Sequence, residues 1–180
     1  MRRLYLMRHA QARSFSPGGD KGRRLSSHGH VQARGVGERL AGARIQMALV
    51  SDAERTRETF ADLRLPDVDG VPVHVEFQAA LYEAGTRLVL ARIAETPDEV
   101  RNLIVIGHAP TIPALASEFT WASDHAGADM AMCSFPTAAV GAFDVEVPWS
   151  GLAEFDPYDF NDPGPAGAPG PHCPVRPAAV

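Results

Sequence analysis

The sequence is poor in cysteine. Its two cysteines, Cys133 and Cys173, stand far apart and in no Cys-x-x-Cys pattern. That argues against a disulfide framework and points to a reducing cytoplasm. Long apolar runs are missing too: no stretch approaches the roughly 20 residues a membrane helix requires. The basic and then apolar start, Met1 to Met7, stops at Arg8, too soon for a secretory signal. Positive charge is also short, with 17 Lys and Arg against 22 Asp and Glu, a net charge of -5. General nucleic-acid binding, which uses a basic face, is disfavoured. A basic pocket for a small anion remains open, because local charge and net charge are independent. These absences predict a cytoplasmic protein with neither a nucleic acid nor a membrane as partner.

What is present in the 180 residues reads as one domain over 1–160, enough for a sizeable core. Leu4 to Met7, Met47 to Val50 and Leu103 to Ile106 are short apolar runs that fit buried strands. Helices are expected over Ser26 to Ala41, from the Ser51-Asp52-Ala53-Glu54 capping box to about Leu63, over Leu88 to Glu95, and from Pro110 to about Phe119. Gly35 and Gly37 weaken the first of these. Val71 to Phe77 alternates, and Pro72 makes it an edge strand. Ala139 to Val147 alternates as well. Residues 12–24 form a polar surface loop. Residues 161–180, rich in Pro, Gly and Ala, form an expected disordered tail. The order implies a three-layer α/β/α sandwich with a mostly parallel central sheet and an antiparallel edge strand.

Ligands in such sheets bind beyond the carboxyl ends of the strands. The three buried strands end in Arg8-His9-Ala10, Ser51-Asp52-Ala53-Glu54-Arg55 and Gly107-His108. A parallel sheet would gather two arginines and two histidines at one crevice. That set suits a phosphoryl group. Arginine offers a permanently charged fork to a dianion, and a neutral imidazole can attack phosphorus. A second imidazole and a helix N-terminus can hold the equatorial oxygens. No metal or other cofactor is called for, since the arginines supply the positive charge.

The same residues carry a family resemblance. Leu6-Met7-Arg8-His9-Ala10 resembles the Arg-His-Gly signature of the histidine phosphatase superfamily, with Ala10 in place of Gly. Ser51-Asp52-Ala53-Glu54-Arg55-Thr56-Arg57-Glu58-Thr59 resembles its second-arginine block, from which Asp52 and Glu58 depart. Leu81-Tyr82-Glu83-Ala84, Val105-Ile106-Gly107-His108-Ala109-Pro110 and Arg24-Leu25-Ser26 with Gly29, Gln32 and Ala33 are similar to three further blocks. Five blocks in order, from Met1 to Val147, imply a phosphoglycerate mutase-like fold. They imply His9 as the phosphorylated nucleophile, with Arg8, Arg55 and His108 around the phosphoryl group. They also place Glu83 where many members carry the general acid. The short spacing from Glu83 to the strand before His108, with Glu95 to Val100 leading into it, looks like the SixA-type phosphohistidine phosphatases. The implied partner is a protein carrying phosphohistidine. The alternatives are a small phosphorylated metabolite and a non-catalytic phosphate-binding module.

Simpler roles are expected elsewhere. Ser51 and Glu54 cap a helix, Arg57 is a solvated charge, and Arg13, Lys21, Arg23 and Arg24 form a solvated basic loop. His28 and His30 lack the partners of a metal site. His74, His125 and His172 are solvated, and Trp121 and Trp149 are core or rim aromatics.

Overall fold

The computed structural model describes residues 1–123, 135–157 and 173–179. Cys133, His125 and His172 lie outside them. Six strands form one sheet: β1 (Arg2–Arg8), β2 (Met47–Ser51), β3 (His74–Gln78), β4 (Asn102–Gly107), β5 (Val140–Val145) and β6 (Val175–Ala178). Their order is β3-β2-β4-β1-β5-β6. The first four pair in parallel, while β5 runs antiparallel to β1 and β6 antiparallel to β5. Four helices connect them: α1 (Ser27–Leu40), α2 (Glu54–Leu63), α3 (Thr86–Ala94) and α4 (Thr111–Ser123).

Alternation along the strands separates two cores, because successive side chains leave opposite faces of a sheet. Leu4, Leu6, Leu49, Leu103 and Val105 pack with Leu90 and Ile93 of α3, Leu115 and Phe119 of α4, and the fully buried Trp149. Tyr5, Met7, Ala48, Val50, Ile104 and Ile106 pack with Ala33, Val36 and Leu40 of α1 and Leu63 of α2. The result is the three-layer α/β/α sandwich expected from the sequence. Gly37 has a packing reason: a Cβ there would lie 1.9 Å from the carbonyl oxygen of Leu63, so glycine lets α1 approach α2.

Three elements differ from expectation. The edge strand begins at His74 rather than Val71, because Val68 and Val71 bond each other across a tight turn with positive φ at Asp69 and Gly70. The capping box does not form: Ser51 is the last, fully buried residue of β2, and Ala53 precedes α2 without a side-chain cap. Within the segment expected to be a structureless tail, Val175–Ala178 form the sheet-edge strand β6, anchored by fully buried Val175. Pro177 is tolerated there because an edge strand needs only one side of its backbone paired. Residues 158–172 and 180 lie outside the described ones.

Candidate active site

Register alone brings the site together. Arg8 of β1 pairs with Gly107 of β4, so His9 and His108 are the next residue on each strand. Val50 pairs with Ile106, which puts Ser51 in the same row. The ring centroids of His9 and His108 are 5.2 Å apart. Arg55 enters from the first turn of α2 and is buried. Arg8, His9, Arg55 and His108 are thus gathered at the carboxyl ends of the parallel strands.

The backbone at His9 is fixed from three sides. Its N–H donates to Gly107 O at 3.0 Å, and its own carbonyl accepts from Ala138 N at 3.1 Å. The next amide, Ala10 N–H, donates to Thr59 Oγ1 at 3.1 Å, and that hydroxyl in turn donates to Arg55 O. His9 Nδ1 lies 2.7 Å from Ala10 O. A carbonyl only accepts, so the ring proton sits on Nδ1 and Nε2 keeps its lone pair. Burial, then the Arg55 and Arg8 charges, push the His9 pKa down to about 4, against one raising contact from Ala10 O. The imidazole is therefore neutral at pH 7 and able to act as a nucleophile.

His108 is held by Ser51, whose Oγ is 2.8 Å from Nε2. Burial and the Arg55 charge bring the His108 pKa down to about 3. A hydroxyl can donate to Nε2 or accept from it, and the other nitrogen of the ring is Nδ1. That atom is buried and has no hydrogen-bond partner among the described residues, and the same holds for Nε of Arg8 and Nε of Arg55. Two arginine donors and one imidazole nitrogen are thus buried without a partner in the His9 site, a costly arrangement unless an anion completes it. Reading Ser51 as a cap missed this contact; its signal was the position at the end of a wholly apolar strand.

The remaining expectations resolve individually. Glu83 is exposed and has no hydrogen bond or ion pair among the described residues. Arg57 is not a free solvated charge: its guanidinium stacks 4.2 Å from the Phe77 ring centroid and Nε donates to Asp52 O. The basic loop is largely neutralised, with Lys21 paired to Asp52, Arg23 to Asp20 and Arg24 to Glu58. Asp52 and Glu58, the two departures in the second-arginine block, are what tie α2 to that loop. Glu58 also accepts Leu25 N–H at 2.7 Å. The sequence reading missed Asp20, whose carboxylate reaches Arg55, and Tyr82, whose ring lies edge-on to His108 at 5.4 Å.

Comparison with known proteins bears on the family and the fold. The family model for the histidine phosphatase superfamily (branch 1) matches residues 4–87. A protein provisionally described as the phosphohistidine phosphatase SixA of Nakamurella multipartitia superposes with a TM-score of 0.72 at 30% identity, over 86% of this chain and 91% of that one. A second, provisionally described in the same way, from Agrobacterium tumefaciens, gives 0.68 at 28% identity, over 80% and 92%. An uncharacterized protein of Mycobacterium leprae is 30% identical over 154 residues, 81% of this chain and 91% of its own length. Among the described residues, no helix is long and apolar enough to cross a membrane.

Proposed function

The chain belongs to the histidine phosphatase superfamily, and from that premise we propose that this phosphatase removes the phosphoryl group from a phosphohistidine carried on a protein. Nε2 of His9 attacks phosphorus in line. The P–N bond to the substrate imidazole breaks, and the imidazole leaves with its electron pair and a proton it already carries. Water then attacks the phosphorylated His9, releases inorganic phosphate and returns the free imidazole. Arg8, Arg55 and His108 Nδ1–H hold the non-bridging oxygens through both steps, so catalysis is positioning and electrostatics.

The observation that carries the choice of substrate is that, among the described residues, no carboxyl group at the mouth is set to give a proton. An ester leaves as an alkoxide unless an acid protonates it, whereas an imidazole can leave already protonated. Asp20, the carboxyl nearest Arg55, is held far below the usual carboxylate range by the Tyr82 hydroxyl, Arg23 and Arg55, so it carries no proton to give. Glu83 stands in solvent with nothing orienting it.

The test is a panel of a histidine-phosphorylated phosphocarrier protein, sugar phosphates and nucleotide monophosphates, with chelator-treated enzyme. Turnover is expected to be fastest on the phosphoprotein, with acid-labile, alkali-stable phosphate trapped on His9. His9→Ala should lose turnover on every substrate. A sugar or nucleotide ester cleaved faster than the phosphoprotein would overturn the substrate, and full activity in His9→Ala would overturn the mechanism.

A further inference from the structure

The reaction above makes no use of Asp20, although four hydrogen bonds tie it to the site. Its Oδ2 accepts from Arg55 Nη2 at 2.9 Å and from Tyr82 Oη at 2.5 Å. Its Oδ1 accepts from Arg23 Nη1 at 2.8 Å, and its main-chain oxygen accepts from Arg55 Nη1 at 2.7 Å. The Asp20 side chain is 52% exposed while that of Arg55 is 7% exposed, so the carboxylate stands on the solvent side of the buried guanidinium. Tyr82 fixes it there, since the ring that donates to Asp20 also packs against His108 and lies 5.8 Å from Arg55. Both terminal nitrogens of Arg55 are therefore engaged outward, and its Nε is left, buried and unpartnered, beside the histidines.

Resting on the reading of this pocket as a phosphoryl site, we propose that Asp20 determines its specificity: a fixed negative charge at the mouth that admits phosphoryl groups on neutral or cationic carriers and rejects those whose carrier bears a second anion close to phosphorus. The phosphoryl group meets the inner donors, Arg8 Nε, Arg55 Nε and His108 Nδ1. Its carrier must then project toward solvent, past Asp20. A carboxylate or second phosphate within a few ångströms of that charge is repelled, an effect of roughly tenfold in affinity for like charges near a protein surface. The Arg23 pair offsets part of this charge, but Arg23 is not free to attract the second anion, because its guanidinium is already bonded to Asp20 Oδ1 and to the Arg13 carbonyl. An imidazole carrier, neutral or protonated, meets no such penalty.

The test measures binding by calorimetric titration of the full chain with orthophosphate and with pyrophosphate, which adds a second anion next to the first. In Asp20→Asn, pyrophosphate is expected to tighten roughly tenfold more than orthophosphate relative to wild type. Asp20→Glu, which keeps the charge, should retain the wild-type ratio. Asp20→Ser makes the same comparison as Asp20→Asn if the amide disturbs the loop. An equal change for both anions in the neutral variants would overturn the proposal and reduce Asp20 to a residue that positions Arg55. Failure of wild type to bind orthophosphate is a separate outcome: it removes the phosphoryl site and this proposal with it.

Discussion

Strand β1 carries arginines at both ends, and the two ends treat them differently. At the amino end, Arg3 Nε meets Asp144 at 2.8 Å and Arg2 Nη2 meets Asp98 at 2.7 Å. At the carboxyl end, Arg8 donates to the main-chain carbonyl of Phe135 at 3.0 Å, and no carboxylate pairs with it among the described residues. A lone nitrogen is not what separates them, since Nε of Arg2 is also without a partner. The difference is cancelled against uncancelled charge. Removing a cation from water without an anion beside it is unfavourable for the folded state. Such an arrangement therefore points to an anion brought from outside.

The sharpest way to break this comparison is Arg8→Ala. Losing a charged donor aimed at the transferring group typically lowers kcat/KM by a factor on the order of 100 to 1000. The ligand-free chain should at the same time hold or gain thermal stability, because an uncancelled, half-buried charge has been removed. A large loss of melting temperature with little loss of turnover would make Arg8 a second Arg3.

A smaller effect follows from pH. The carboxyl end is where the histidines titrate low, His9 at about 4 and His108 at about 3. Both lie below the unfolded value of about 6.5. The unfolded chain thus binds protons before the native one does, and stability falls as pH drops from 6.5 toward 4, with no contribution from this pair above 6.5. Melting temperatures measured across that window should decline less steeply in His9→Gln than in wild type. An unchanged slope would mean that burial at this end does not depress His9.

Much of this was legible in the chain. Three apolar runs, each ending in Arg-His, Ser-Asp-Ala-Glu-Arg or Gly-His, fixed which residues would meet once the strands lay parallel. A period of two located both cores. What escaped reading depended on contacts that no local pattern encodes. Ser51-Asp52-Ala53-Glu54 satisfies the spacing of a cap, yet the strand extends one residue further and delivers Ser51 to His108, 57 positions away. Asp20 sits in a Gly- and Ser-rich loop and reaches Arg55 across 35 positions and Tyr82 across 62. The last strand was hidden because Pro177 within it, and Pro174 just before it, are unfavourable in a central strand and harmless at an edge. Glu83 illustrates the converse: the family position was readable, whereas the exposure of the side chain was not.

The smallest expected effect belongs to the amino end. Arg3 and Asp144 are both partly exposed, with side chains 34% and 23% accessible. Ion pairs of that kind contribute about 1 kcal/mol or less to stability. Arg3→Gln should shift the melting temperature by a few degrees at most and leave kcat/KM within about twofold, since cancelled charges at the far edge of the sheet exert little field on the pocket. If Arg3→Gln instead lowered turnover as Arg8→Ala does, the two ends of β1 would have to act on the reaction together. Local cancellation of charge would then no longer separate the two ends of this strand.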